Sequence, residues 1–304
     1  MIMKNKLPNF LIVGAAKSGT SSLHNYLSQH PDIFMPSFNK EGMKVKEPRF
    51  LIKDLVENRL HNGVWNWEEY QSLFDKVTDE KAIGESTVLY LYYFEEAIKN
   101  IKYRLDENVR IIIMLRNPVD RAFSAYTHVA RSVKEQLSFE EALDIEQERL
   151  ELDPTLTPMV MYKDMGLYYS MVKAYLDNFE NVHVIMHEDF KSNTAKVVEK
   201  TLEFLGLNSK VSLETGLKHN VGGKSWRTPF LKHFFMKDNF VKKLFRMVLS
   251  FSLRKKVRIF LESILKQKSK PINKETRDNL VMFFKEDVSK LEQLLQINLK
   301  HWKE

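Results

Sequence analysis

"FLIVGAAKSGTSSLHNYL", residues 10–27, is an apolar run that breaks at Gly14 and resumes with helical spacing after Gly19. Such a pattern reads as a buried strand, a glycine-bounded turn and a helix. The familiar phosphate loop of that shape is G-x-x-x-x-G-K-[ST]. Gly14 and Gly19 stand at the right separation, but Thr20 occupies the lysine's place and the lysine is Lys17, inside the loop. A turn of this kind presents orphan amides and the positive end of a helix dipole, which together attract an anion. Thr20, Ser21 and Ser22 add hydroxyl donors at the same point. A plain strand-to-helix turn with a serine cap and a surface lysine is the simpler alternative.

A second stretch, "VRIIIMLRNPVDRAFSAY" (109–126), repeats the arrangement of a buried strand running into a helix. The strand ends in Arg116, and Pro118 opens a helix that carries Arg121, Ser124 and Tyr126. A metal-dependent nucleotidase commonly places an Asp at such a strand end to hold Mg²⁺. A guanidinium there is suited instead to gripping a phosphate bidentately. Ser124, on the second turn, can donate to the same phosphate. The alternative for Arg116 is an ion pair at the sheet edge with Asp120.

Working outward, further short β-branched runs lie at 81–85 and 181–186, with a candidate edge strand at 32–35. Helical patterns fall at 19–29, 67–75, 92–104, 118–132, 138–150, 166–179 and 193–205. This alternation predicts an α/β fold, a P-loop-like and mostly parallel sheet flanked by helices on both faces. From about residue 229 the strands are expected to stop. The rest, apolar and basic and then cleanly periodic over 274–302, reads as a C-terminal α-helical extension. One domain is therefore expected over 1–304, with an α/β core at 1–228 and the extension at 229–304.

The 304 residues are 43% hydrophobic and 29% charged, enough for a large packed core under a soluble surface. The net charge of +7 favours anionic partners in general. There are no cysteines, which excludes disulfides, thiolate metal sites and a Cys nucleophile. Nine histidines show no metal-ligand spacing. The N-terminus runs straight into the first strand and no apolar stretch approaches the roughly 20 residues of a membrane span, so the chain reads as cytoplasmic. The basic amphipathic stretch after 229 is of the kind that can lie on a membrane surface, though packing on its own domain is the commoner use.

The loop "GAAKSGTSSL" after one strand and "LRNPVDRAFSAY" after another together resemble the two donor-binding signatures of the sulfotransferases that use 3′-phosphoadenosine 5′-phosphosulfate (PAPS). "KEPRFL" (46–51), "GESTVLY" (84–90), the "GLY" of 166–168, "HEDF" (187–190) and the closing "ETRDNLVMFFKEDVSKLEQLL" are also similar to that superfamily. The branch resembled is the one with heparan sulfate sulfotransferases and their bacterial relatives, and the likeness covers nearly the whole chain. It implies that Lys17, Ser18, Gly19, Thr20, Ser21 and Ser22 bind the 5′ end of PAPS, while Arg116 and Ser124 hold the 3′-phosphate. Lys17 would neutralise charge growing on the bridging oxygen as the S–O bond breaks, with no metal required. The resemblance implies that Glu85 is the base that takes the acceptor's proton, although a carboxylate capping the next helix would look the same in sequence. Lys46 and Glu47 are placed near the acceptor or the sulfuryl group. Gly222, Gly223, Lys224 and Arg227 suit a loop closing over the nucleotide, beside Trp226.

Two positions depart from that pattern. Arg49 follows Pro48 where many relatives have a histidine, and Met171 stands where the N-sulfotransferases have one. The resemblance therefore implies sulfuryl transfer from PAPS, releasing adenosine 3′,5′-bisphosphate, to a hydroxyl or an amine. The acceptor would be a carbohydrate, lipid or secondary metabolite rather than nucleic acid. Two other classes compete. A P-loop small-molecule kinase using ATP and Mg²⁺ explains the glycines but not Thr20 or Arg116. A basic module binding nucleic acid or sulfated polysaccharide explains the charge alone.

Overall fold

The computed structural model describes residues 6–37, 39, 42–43, 45–131, 135–216, 228, 253, 257, 260–261, 264–265, 267 and 271–304, with the backbone of 224–226, 266 and 268. Five strands form one parallel sheet: β1 Phe10–Gly14, β2 Ile33–Phe34, β3 Ala82–Ser86, β4 Arg110–Leu115 and β5 Val182–Met186. Their spatial order is β2-β3-β1-β4-β5, so β1 is central, between β3 and β4. In register, Leu11 faces Glu85 on one side and Ile111 on the other.

Both faces of the sheet are covered, which is why its central strands β1 and β4 are almost continuously apolar rather than alternating. Leu11, Val13, Ile111, Ile113 and Leu115 point to one face, packed with Ile101, Val119, Ala122, Val172 and Phe284. Phe10, Ile12, Ile112 and Met114 point to the other, against Leu23 and Leu27 of the helix Thr20–Leu27 and Val198 and Leu202 of the helix Thr194–Phe204. The helix Pro118–Val129 starts sharply because the Asn117 side chain accepts from the amides of Val119 and Asp120, with Pro118 in the first turn.

The last helix, Lys274–Leu295, is tied into this core rather than laid over it. Its Asp287 carboxylate accepts from the amides of Tyr168 (2.8 Å) and Tyr169 (3.2 Å), the first turn of the helix Tyr168–Asn178. Arg277 pairs with Asp120 at 2.9 Å. Beyond the helix, Trp302 is fully buried with its ring 6.2 Å from that of Tyr168. Among the described residues, no helix is long and apolar enough to cross a membrane.

Two expectations are corrected. The helix expected over 138–150 is two pieces, Phe139–Asp144 and Glu146–Leu152, broken at Ile145 (φ −119°, ψ 22°). Glu146 is drawn away by the amides of Lys163 (2.9 Å) and Asp164 (3.1 Å), a tertiary demand that periodicity does not register. Strands also do not stop near 229. Lys224–Trp226 (β6) pairs antiparallel with Lys266–Lys268 (β7). The sequence Lys-Gln-Lys has no apolar alternation, and only backbone pairing defines it as a strand.

Candidate active site

In a parallel sheet, ligands gather outside the carboxyl ends of the strands, where successive connections diverge. Here that place is the gap above β1 and β4. The chain leaves β1 through Ala15–Gly19, with the Ala15 amide donating to the Met114 carbonyl of β4 at 2.6 Å. Two glycines make the turn possible. A Cβ on Gly14 would lie 2.5 Å from that of Leu91, and Gly19 has φ +100° with the Phe190 ring against it. Lys17 itself lies in the left-handed region at φ 73°, a conformation that costs energy in a non-glycine residue. No side chain caps the helix that follows. Ser18 is fully buried, and its hydroxyl has no hydrogen-bond partner among the described residues. Uncapped amides and an unsatisfied hydroxyl beside an ammonium form a cradle suited to a phosphate-like anion.

Arg116 reaches this cradle from the end of β4. Its Nη1 donates to the Lys17 carbonyl at 3.3 Å, while its own carbonyl accepts from the Tyr168 hydroxyl at 3.0 Å. The expected alternative partner, Asp120, is turned instead toward Arg277. Burial lowers the Lys17 ammonium to about 8, helped by the positive charges of Arg131 and Arg116 and opposed by Glu47. Ser124 is half-buried on the second turn of the helix Pro118–Val129. Arg121, on the same helix, is fully buried and donates to the Tyr162 carbonyl, which fixes the segment leading to Tyr168.

On the other side of β1, Glu85 closes β3 and is wholly buried. Oε2 accepts from the Tyr70 hydroxyl and Oε1 from the Thr87 hydroxyl, both at 2.7 Å. Burial pushes its carboxyl up to about 6 against these hydroxyl donors, and Glu47 adds to the upward push. Glu47 is clasped by Lys46 (3.2 Å) and Arg49 (3.3 Å), all about one-fifth exposed. Arg49, the residue that departs from the resembled pattern, also donates to the Asn62 carbonyl, and its backbone amide donates to the Thr87 hydroxyl at 3.3 Å. Met171 is buried in the core.

The structure thus brings Lys17, Arg116, Lys46, Glu47 and Glu85 into one electrostatic neighbourhood. Gly222, Gly223 and Arg227 lie outside the described residues, and Lys224 is described only as backbone in β6. One histidine escaped the sequence reading. His128 is exposed on the last turn of the helix Pro118–Val129. Surrounding protein, together with the charges of Lys17 and Arg131, lowers it to about 4. It stands four residues after Ser124, on the same helix face, and that spacing is the signal that marks it. His187, lowered to about 4 by partial burial and then Arg116, opens the helix after β5. Neighbouring Glu188 accepts from the Asn117 amide at 3.3 Å. A groove of about 550 Å³ along β5 and the helix Thr194–Phe204 shares none of these site residues.

Comparison with known proteins identifies the family. The family model described as "Sulfotransferase domain" matches residues 7–233. A crystal structure of a sulfotransferase from Alicyclobacillus acidocaldarius superposes with a TM-score of 0.72 at 32% identity, covering 98% of this chain and 99% of that one. Human heparan sulfate glucosamine 3-O-sulfotransferase 6 is 28% identical over 211 residues, 69% of this chain and 55% of that protein. The membrane-associated sulfotransferase kil1 of Dictyostelium discoideum is 32% identical over 120 residues, 40% of this chain and 22% of that protein. The chain thus spans between about a fifth and about half the length of these curated relatives.

Proposed function

The chain belongs to the sulfotransferase domain family, and from that premise we propose that it transfers the sulfuryl group of PAPS to a hydroxyl, or an amine, of an acceptor molecule. The observation that carries this reading is the Arg116–Lys17 contact, which joins the anion cradle after β1 to a guanidinium at the end of β4. A donor with phosphates at both ends of its ribose suits two cations held that way.

In this reading the amides and hydroxyls of Ser18 to Ser22 hold the 5′-phosphosulfate, and Arg116 and Ser124 take the 3′-phosphate. The acceptor oxygen attacks sulfur in line as the bond from sulfur to the bridging oxygen breaks. Lys17 stabilises the negative charge arriving on that oxygen, an interaction stronger in the transition state than before it. Glu85 accepts the acceptor's proton, and adenosine 3′,5′-bisphosphate leaves. A positioned base of this kind contributes on the order of 10²–10⁴-fold. With hydroxyls of Tyr70, Thr87 and Tyr90 around it, the Glu85 carboxylate still keeps an acceptor position for the incoming group. The carboxylate is closed to water, so the acceptor must part the side chains over it.

Lys46 and Glu47 face the sulfuryl group or the acceptor. Gly222, Gly223, Lys224 and Arg227 belong to the same proposal as a loop over the nucleotide. The heparan sulfate and carbohydrate sulfotransferases among the relatives support a glycan as acceptor. The kil1 relative is named as membrane-associated, which supports including a lipid-linked acceptor in the search. Phosphoryl transfer from ATP-Mg²⁺ is not favoured, because the matching family is a sulfotransferase one and Thr20 replaces the P-loop lysine.

Calorimetry tests the donor. Adenosine 3′,5′-bisphosphate should bind far more tightly than ATP-Mg²⁺, and the reverse order would sink the proposal. With sulfate-labelled PAPS and extracts as acceptor, Lys17→Ala should lower transfer by about 10²–10³-fold while circular dichroism is unchanged.

A further inference from the structure

We propose that Tyr70 is a positioning residue for proton abstraction, its phenol locked in an aromatic stack so that it fixes the Glu85 carboxylate in place for the acceptor. This inference rests on reading Glu85 as the base.

Tyr70 lies on the short helix Trp67–Ser72, whose start is set by the Asn66 side chain accepting from the Glu69 amide at 2.8 Å. Its ring stacks on Phe50 (4.8 Å, 25°) and Trp67 (5.6 Å, 21°) and meets Phe74 edge-on (5.5 Å, 68°). A fully buried ring held on three sides cannot swing, so its O–H points in one direction, at Glu85 Oε2. A hydrogen bond to a carboxylate in such a place is short and strong.

The opposite oxygen is fixed by a second chain of donors. The Arg49 amide donates to the Thr87 hydroxyl, which donates to Oε1. Phe50 is the residue after Arg49, and Phe50 forms one wall of the Tyr70 stack. These two anchors of the carboxylate therefore pass through Arg49–Phe50, soon after Lys46 and Glu47, and the third hydroxyl beside it, Tyr90, accepts from the next amide, that of Leu51. A displacement of that segment reaches both carboxylate oxygens.

The charged and titratable groups facing Glu85 are the phenols of Tyr70, Tyr90 and Tyr175 and the carboxylate of Glu47. Burial holds all three phenols neutral. A phenol donating to the carboxylate favours its ionised form, so removing that donor raises the Glu85 pKa.

The test is Tyr70→Phe, which keeps the ring and removes the hydroxyl, with Thr87→Val as the matching change at Oε1. Glu85 is titrated by ¹³C NMR of glutamate carboxyl carbons, assigned with Glu85→Gln, a measurement that needs no acceptor. The expected result is a rise of about one unit in the Glu85 midpoint. The acid limb of the transfer rate should move the same way, with kcat near neutral pH reduced about tenfold and bisphosphate affinity within about twofold of wild type. An unmoved titration, or lost activity with an unmoved acid limb, overturns the positioning role and leaves the base reading intact. Full activity in Glu85→Gln overturns the base reading itself, and the inference with it.

Discussion

The Arg116 guanidinium donates to the Lys17 carbonyl at 3.3 Å, so a cationic residue at the end of β4 meets one in the turn after β1. Their charges repel, and Arg116 is among the groups that lower the Lys17 ammonium to about 8. A polyanionic donor would remove that repulsion. Whatever binds there is expected to raise the Lys17 pKa, because it favours the charged form.

The pH profile follows from the two groups. The rate as kcat/KM for the donor reports the free enzyme. It should fall below about pH 6, as Glu85 takes up a proton, and above about pH 8, as Lys17 loses one. In kcat, measured with donor bound, the basic limb should lie at higher pH than in kcat/KM. Steady-state kinetics across pH 5 to 10 checks both statements, and coincident basic limbs would contradict the donor's place beside Lys17.

Glu47 moves both limbs together. Its negative charge raises the pKa of Lys17 and, as a like charge, that of Glu85. Glu47→Gln removes both effects, so both limbs should shift to lower pH. A change in one limb alone would mean that Glu47 touches only one of the two groups.

Arg116→Ala isolates the far phosphate. A hydrogen bond to a charged group contributes about 1.5–3 kcal/mol. Affinity for adenosine 3′,5′-bisphosphate should therefore drop roughly 10- to 100-fold by calorimetry. Adenosine 5′-phosphosulfate, which lacks the 3′-phosphate, should lose little. Equal losses for both ligands would place the guanidinium elsewhere on the donor.

Asp287→Ala should act at a distance from the chemistry. The Asp287 carboxylate serves the first turn of the helix Tyr168–Asn178 as a cap supplied by another helix. Loss of a helix cap costs about 0.5–2 kcal/mol, a drop of a few degrees in melting temperature. Calorimetric melting checks this. Because the Tyr168 hydroxyl donates to the Arg116 carbonyl, a weaker grip on the nucleotide should accompany the loss.

The fold was legible in sequence where local pattern and tertiary demand agree. The runs that became β1 and β4 are apolar on both faces because both faces are covered, and no partner needs to be known to read them. Of the site, Lys17 and Arg116 were legible because each sits at a strand-to-helix junction that sequence marks with glycine or proline. Tyr70 was not, since nothing in "WEEYQS" distinguishes a tyrosine that packs from one that also holds a carboxylate 15 residues away. The break at Ile145 and the pairing of Lys224–Trp226 with Lys266–Lys268 were hidden for the same reason: distant partners decide them. Asp120, read as a neighbour for Arg116, was claimed by Arg277 from 157 positions downstream.

The cap that Asp287 supplies bears on how this protein can be cut for study. Likeness to the family model covers residues 7–233, yet Arg277, Asp287 and Trp302, which brace the two helices around Arg116, all come later. An excised piece bounded by that likeness would leave Tyr168 without its keystone and Arg116 on a slack hinge. Trimming from the carboxyl end is thus expected to disable the proposed nucleotide grip without touching a single residue assigned to it.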